Sequence, residues 1–293
     1  MKILYSSVMI EKPVFDPETY TQDSKENWSK AAPHYDRISL DFFTPITKAF
    51  VSFARLLPGQ RILDVACGPG TATIAAARAA GPSGKVVGVD LSPGMLKIAA
   101  SRAASAEAIP AIEYREMNAE SLDFPDDCFD AVICQLGLML FAKPEMALRE
   151  MARVVKKGGR VSCLVQGVAD KMAFTSLIMR CIVKHAPQIK VPGAPALYDF
   201  GPAGILDLAL EKAGLEEVAS KRLEGTFAFN SAQDYWQTMT QGAGRTGAML
   251  KSLTAQTQNA IQRDTLEAAV RFKADGKINI PYEVAMARGI KPK

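Results

Sequence analysis

Between residues 61 and 166 the chain sets five short β-branched or apolar runs (61–66, 86–89, 112–115, 129–134 and 160–165) among helical stretches at 71–80, 92–106 and 144–155. That order is the strongest constraint the sequence carries. Consecutive strands joined through helices pair in parallel, and runs that are apolar throughout need cover on both faces. Punctuation agrees with the pattern. Gly81-Pro82 stops the first helix, Ser92 followed by Pro93 caps the second, and Gly158-Gly159 turns the third into the last run. The fold class read from this is α/β with a parallel sheet.

The flanks are less regular. Residues 1–27 are a polar arm with Pro13 and Pro17, expected to need a surface to dock on. Helices are predicted at 26–40 and 45–57, closed by Pro58-Gly59, so residues 1–57 form an arm with lid helices. Beyond 166 come a helix at 172–185, a Pro/Gly-rich loop through 192–195, a helix at 202–213 and an extended run at 218–229. Residues 231–274 are mainly helical, and 277–288 reads as a last strand. The main domain is therefore 58–293, with cap insertions at 167–200 and 231–274.

At 293 residues and 48% hydrophobic the chain is long enough to bury a core without staples. Its net charge of +4 is small and unclustered, which argues against a nucleic-acid partner. The longest uncharged apolar run, 131–142, is far shorter than the ~20 residues of a membrane span, and no signal peptide is read at the start. Five cysteines with no Cys-x-x-Cys pair suit a reducing compartment. A cytoplasmic monomer or homodimer is expected.

The chemistry concentrates at Leu63-Asp64-Val65-Ala66-Cys67-Gly68-Pro69-Gly70-Thr71. Gly68 and Gly70 let the backbone turn sharply from strand to helix and approach a ligand closely. Thr73 stands where a dinucleotide fingerprint has its third glycine. Asp64 lies in the first strand and Asp90 ends the second, at the sheet edge where α/β proteins bind ligands. A carboxylate at Asp90 suits two ribose hydroxyls. One at Asp64 repels a pyrophosphate and suits a cationic amine. The pair describes a nucleoside that carries a positive group and no phosphate.

In these residues the chain resembles the class I S-adenosylmethionine-dependent methyltransferases, especially the group that includes the ubiquinone/menaquinone-biosynthesis C-methyltransferases. Residues 63–70 resemble the family's first motif, with Ala66 in place of its usual first glycine. Asp90-Leu91-Ser92 resembles the ribose-binding motif and Asn118-Ala119-Glu120 the adenine-binding segment, where the Asn118 amide oxygen would accept from the adenine amino group. Phe129-Asp130 with Cys134-Gln135-Leu136-Gly137 resembles the fourth-strand motif beside the methyl group. The resemblance implies a doubly wound, seven-stranded, mostly parallel Rossmann-like sheet with helical lid insertions, its last strand antiparallel beside the fifth. It implies S-adenosyl-L-methionine as cofactor, S-adenosyl-L-homocysteine as product, and methyl transfer to a small, partly apolar acceptor by in-line displacement. The candidate cofactor-binding residues are Asp64, Ala66, Gly68, Gly70, Thr71, Asp90, Leu91, Met95, Asn118, Ala119, Glu120 and Gln135.

Near the acceptor the candidates are His34, Tyr35, Gln135 and Gln166. Cys181 and His185 are spaced i, i+4, but no further ligand cluster joins them, so no metal is expected. Two other readings stay open at this level. One is an S-adenosylmethionine-binding protein without catalysis. The other is a dinucleotide-dependent oxidoreductase, disfavoured by Asp64 and Thr73.

Overall fold

The computed structural model describes residues 15–293 other than 108, 190 and 243. The two first helices are α1 (Pro17–Asp41) and α2 (Thr44–Ala54). Then follow β1 (Arg61–Val65), α3 (Thr71–Ala80), β2 (Lys85–Asp90), α4 (Pro93–Ala104), β3 (Ile112–Glu116) and β4 (Phe129–Gln135). The next elements are α5 (Pro144–Val154), β5 (Val155–Gln166), α6 (Ala173–His185), α7 (Ile205–Lys212) and β6 (Glu216–Phe229). The chain closes with α8 (Ala232–Gln241), α9 (Gly244–Lys251), α10 (Ala255–Val270), β7 (Lys273–Ala274) and β8 (Lys277–Ile290).

The strands form one sheet in the order β3-β2-β1-β4-β5-β8-β6, and the two-residue β7 pairs with β8 as a short hairpin. β1 to β5 are mutually parallel, and β8 runs antiparallel between β5 and β6 with Leu164 opposite Met286. Seven strands in line, with the antiparallel strand beside the fifth, is the expected architecture. Ile62, Leu63, Asp64 and Val65 of β1 are consecutive and all buried, so both faces of the central strand are covered. Strand order reverses between β2 and β4 on either side of β1. The carboxyl ends of β1, β2, β3 and β4 therefore open one crevice at the switch point, where doubly wound sheets take ligands.

The main departure from the sequence reading is at the N-terminus. Residues 17–27, read as arm, are the first half of α1. Asp16 caps the helix by accepting from the Thr19 N–H (2.9 Å), and Pro17 occupies its first turn. The part of the predicted arm before residue 15, Pro13 included, lies outside the described residues. β5 also starts five residues early, at Val155, because α5 passes directly into the strand and Gly158-Gly159 sits inside it. Among the described residues, no helix is long and apolar enough to cross a membrane.

Candidate functional site

The turn out of β1 is built on left-handed backbone. Ala66, Gly68 and Gly70 have φ of 56°, 53° and 83°. Glycine takes that conformation freely, whereas a residue with a Cβ is disfavoured there by about 1–2 kcal/mol. Ala66 thus occupies a conformation that glycine favours, at the position where the family motif usually has one. The loop is tied to the next strand. The Cys67 N–H donates to the Val89 carbonyl (3.0 Å), and the Gly68 N–H donates to Asp90 Oδ2 (2.8 Å). Asp90 Oδ1 accepts from the Ser92 N–H (2.8 Å). Each carboxylate oxygen keeps a second lone pair for a ligand hydroxyl. Burial raises the Asp90 carboxyl to about 6, against the lowering effect of those N–H groups.

A cavity opens in front of this carboxylate. From the sheet edge its wall takes Ala66, Gly68, Asp90, Leu91, Asn118, Ala119, Glu120 and Gln135, with Met95 from α4. Nine of the predicted cofactor residues are thereby brought together.

Three others are placed elsewhere. Asp64 is wholly buried behind the loop, where its Oδ2 accepts from the Thr73 hydroxyl (2.6 Å). Its Oδ1 has no partner among the described residues, and burial raises the carboxyl to about 7. Thr73, the departure from the dinucleotide pattern, is therefore the group that holds Asp64. Gly70 begins α3, and a Cβ on it would meet the Tyr114 hydroxyl at 2.8 Å. Thr71 is a staple. Its hydroxyl contacts Ser39 of α1 and accepts from Arg102 Nη1 (3.0 Å), which also donates to the Pro69 carbonyl (2.8 Å) and Asp36 (3.2 Å).

In the adenine segment Asn118 Oδ1 accepts from the Glu120 N–H (2.9 Å), which fixes the turn and leaves that oxygen a second lone pair. Glu120 Oε1 in turn accepts from the Lys143 N–H (2.9 Å), fixing the segment against the start of α5.

On the other side of the crevice, Gln135 Nε2 donates to Thr47 (2.9 Å), while its Oε1 is buried without a partner among the described residues. Leu136 has φ 59°, and a Cβ on Gly137 would approach the Ala66 methyl to 2.6 Å. The alanine at 66 requires the glycine at 137.

Of the acceptor-side candidates, Tyr35 and Gln135 line the cavity and the other two do not. His34 is exposed and does not line the cavity. Gln166 is buried and accepts from the Thr175 hydroxyl (2.6 Å), which also bonds Tyr198 (2.9 Å). It braces β5 against α6.

Sequence reasoning expected lid helices here, with Trp28 and Tyr35 among them, but missed the part of the cover before residue 26. Tyr20, Thr21, Ser24 and Trp28 of α1 close the cavity with Tyr35, whose ring meets Trp28 edge to face at 5.1 Å. Burial, with Asp90 adding to it, raises the Tyr35 phenol. α1 is pinned here by Ser29–Ser92 (2.9 Å) and Lys25–Glu116 (2.5 Å). The signal that would have found this half-helix is Asp16-Pro17, an N-cap followed by proline at the first helical position. Met117 and the loop residues Leu140, Phe141 and Ala142 complete the wall.

Known proteins are similar to this chain in sequence and in fold. The model of the ubiE/COQ5 methyltransferase family matches residues 24–178, more than half of the chain. The chain belongs to this family. UbiE of Cronobacter sakazakii, a ubiquinone/menaquinone biosynthesis C-methyltransferase, is 42% identical over 106 residues, which are 36% of this chain and 42% of that protein. The chain spans about half the length, or less, of the curated relatives it matches. Two solved structures share the fold at a TM-score of 0.59. The Haemonchus contortus phosphoethanolamine N-methyltransferase 2 bound to S-adenosyl-L-methionine is 18% identical over 96% of this chain and 61% of its own. The [4+2]-cyclase SpnF is 19% identical over 96% and 98%. The family's cofactor is S-adenosylmethionine, and the residues present suit it. The two ends of Asp90 have lone pairs to spare, and the glycine turn leaves room beside the backbone. Gln135 Oε1, on the cavity wall, is an acceptor without a donor among the described residues.

Proposed function

We propose that the chain transfers a methyl group from S-adenosylmethionine to a small, partly apolar acceptor. The observation that carries this reading is the Asp90 carboxylate. It accepts the Gly68 and Ser92 N–H groups and still faces a cavity that the Asn118–Glu120 turn and the Gln135–Gly137 turn also line. When bound, the cofactor supplies a methyl group activated on a sulfonium, whose departure leaves a neutral sulfide.

The chain's own work is then positioning and exclusion of water, which together lower a displacement barrier by several kcal/mol. Asp90 takes the ribose hydroxyls. Asn118 lines the part of the cavity assigned to the base, where its oxygen has a lone pair for an exocyclic amine and its NH2 a donor for a ring nitrogen. Tyr20, Trp28 and Tyr35 of α1 lie over the site as a lid, and the 231–274 insertion backs that lid through Arg245, which donates to the Tyr20 hydroxyl (3.1 Å). Tyr35 and Gln135 are the polar groups placed to orient an acceptor, and the free Gln135 oxygen accepts from an acceptor hydroxyl or holds a ring in place. The names of the curated relatives favour carbon as the methylated atom and a quinol-like ring as acceptor. His34 and Gln166 take no part in that step.

Equilibrium binding of S-adenosylmethionine and of NAD(H) to the full chain tests the cofactor assignment. Transfer of a radiolabelled methyl group to a panel of hydroxylated aromatic and quinol acceptors tests catalysis. Tight adenosylmethionine binding with labelled product supports the proposal. Binding with no product across the panel supports a binding protein without catalysis, and nicotinamide binding in place of adenosylmethionine overturns the reading.

A further inference from the structure

A second and larger cavity, of about 820 Å³, lies apart from the cofactor crevice and shares none of its lining residues. Its size is that of a site for a small organic ligand. One wall is a single face of α6, where Ser176, Met179, Val183 and the cations Arg180 and Lys184 recur at helical spacing. The facing wall is α9, with Arg245, Thr246 and Met249, and Ile189, Val191, Pro192 and residues 194–198 close the rest.

Three features describe its ligand. Most of the wall is apolar, so the body of the ligand is apolar. Ser176 and Thr246 are buried hydroxyls that line the space. The charges are all of one sign, since no carboxylate lines the cavity among the described residues. Arg180 and Lys184 are exposed at the mouth and already paired, with Asp170 (2.5 Å) and Asp264 (2.7 Å). Arg245 differs from both. Half-buried, it donates to the Pro195 carbonyl (3.0 Å) and the Tyr20 hydroxyl (3.1 Å), stacks over the Tyr20 ring (5.2 Å), and meets no carboxylate among the described residues. A guanidinium spends two donors on these neutral groups and keeps the rest, with its full charge, beside an apolar space.

Tyr20 is also part of the cofactor cavity's wall, and its hydroxyl donates to the Leu140 carbonyl (3.1 Å). The Arg245–Tyr20–Leu140 chain is therefore the partition between the two cavities. We propose that the second cavity binds an apolar monoanion, a carboxylate on a hydrocarbon chain or ring, with Arg245 as its counter-ion. The site is separate from the methyl-transfer reading and does not depend on it.

Calorimetric titration of the full chain with decanoate, decan-1-ol and decylammonium tests this, each with and without saturating S-adenosylhomocysteine. Decanoate is expected to bind once per chain, at least tenfold more tightly than either analogue, and to bind alongside the nucleoside. Arg245→Gln should weaken decanoate at least tenfold while Arg245→Lys keeps most of the affinity. Met249→Trp, which fills the space and leaves the charge, should weaken decanoate as well. Equal affinity for the acid and the alcohol overturns the proposal, as does displacement of decanoate by S-adenosylhomocysteine or undiminished binding to a folded Arg245→Gln variant. The comparison of the three probes on the unaltered chain decides the matter even if a variant fails to fold. None of these readouts uses methyl transfer, so failure of the catalytic reading is seen separately.

Discussion

The cofactor crevice has two walls made in different ways. The sheet wall, from β1 to the β4 turn, is assembled from short-range rules: left-handed positions filled by small residues, and acids that end strands. The covering wall is α1, whose Tyr20, Trp28 and Tyr35 reach the site only because the helix docks across the strand ends through Ser29–Ser92, Lys25–Glu116 and the Arg102 staple. Local chemistry specifies the first wall and tertiary contact the second. Damage to the sheet wall should therefore remove binding or the fold, and damage to the cover should only loosen the ligand.

The largest effect is expected at Asp90. Its replacement by alanine removes two ligand hydrogen bonds to a charged group and releases Gly68, which together amount to about 3–4 kcal/mol and a loss of several hundredfold in S-adenosylhomocysteine affinity by calorimetry. Next comes Gly70→Ala. A Cβ at φ 83° is strained and meets the Tyr114 hydroxyl at 2.8 Å, so denaturant unfolding should show about 2–3 kcal/mol of lost stability.

The pH dependence is smaller. The folded-state carboxyls of Asp90 and Asp64 are raised from 3.8 to about 6 and about 7. The native state thus binds more protons than the unfolded one in that interval, and the stability these groups contribute is present below about pH 4 and lost as pH rises to 7. Cofactor binding runs the other way, since ribose hydroxyls need Asp90 ionised. Affinity for S-adenosylhomocysteine should rise about tenfold from pH 5 to pH 7, and Asp90→Asn should flatten the profile. On the cover, Trp28→Ala should weaken the ligand by about tenfold or less and leave sheet stability nearly unchanged, because the ring covers the cavity and not the core. The smallest effect belongs to His34→Gln, expected within about twofold in affinity and turnover because the side chain is exposed away from the cavity. A large loss at His34, or none at Trp28, would break the contrast between the walls.

What the sequence made legible follows the same division. The five parallel strands and nine of the residues that line the cavity were readable, because turns, caps and strand ends are decided within a few residues, whereas the place of the last strand came from the family resemblance. The first half of α1 was read as an arm because its polar residues show no helical stripe, and only the Asp16-Pro17 cap marks it. Asp64 was read as facing a cation. Its burial behind the loop depends on Thr73, nine residues away, and on the strands to either side. The second cavity had no sequence signature, since α6 and α9 meet only in the fold.

The role of Asp90 as ribose anchor is tested most directly by a structure of the chain with S-adenosylhomocysteine bound. The prediction is both ribose hydroxyls within hydrogen-bond reach, about 2.5–3.0 Å, of the Asp90 oxygens, with the base against Asn118–Glu120 and the sulfur toward Gln135. A nucleoside seated elsewhere, with Asp90 still holding only Gly68 and Ser92, would contradict it.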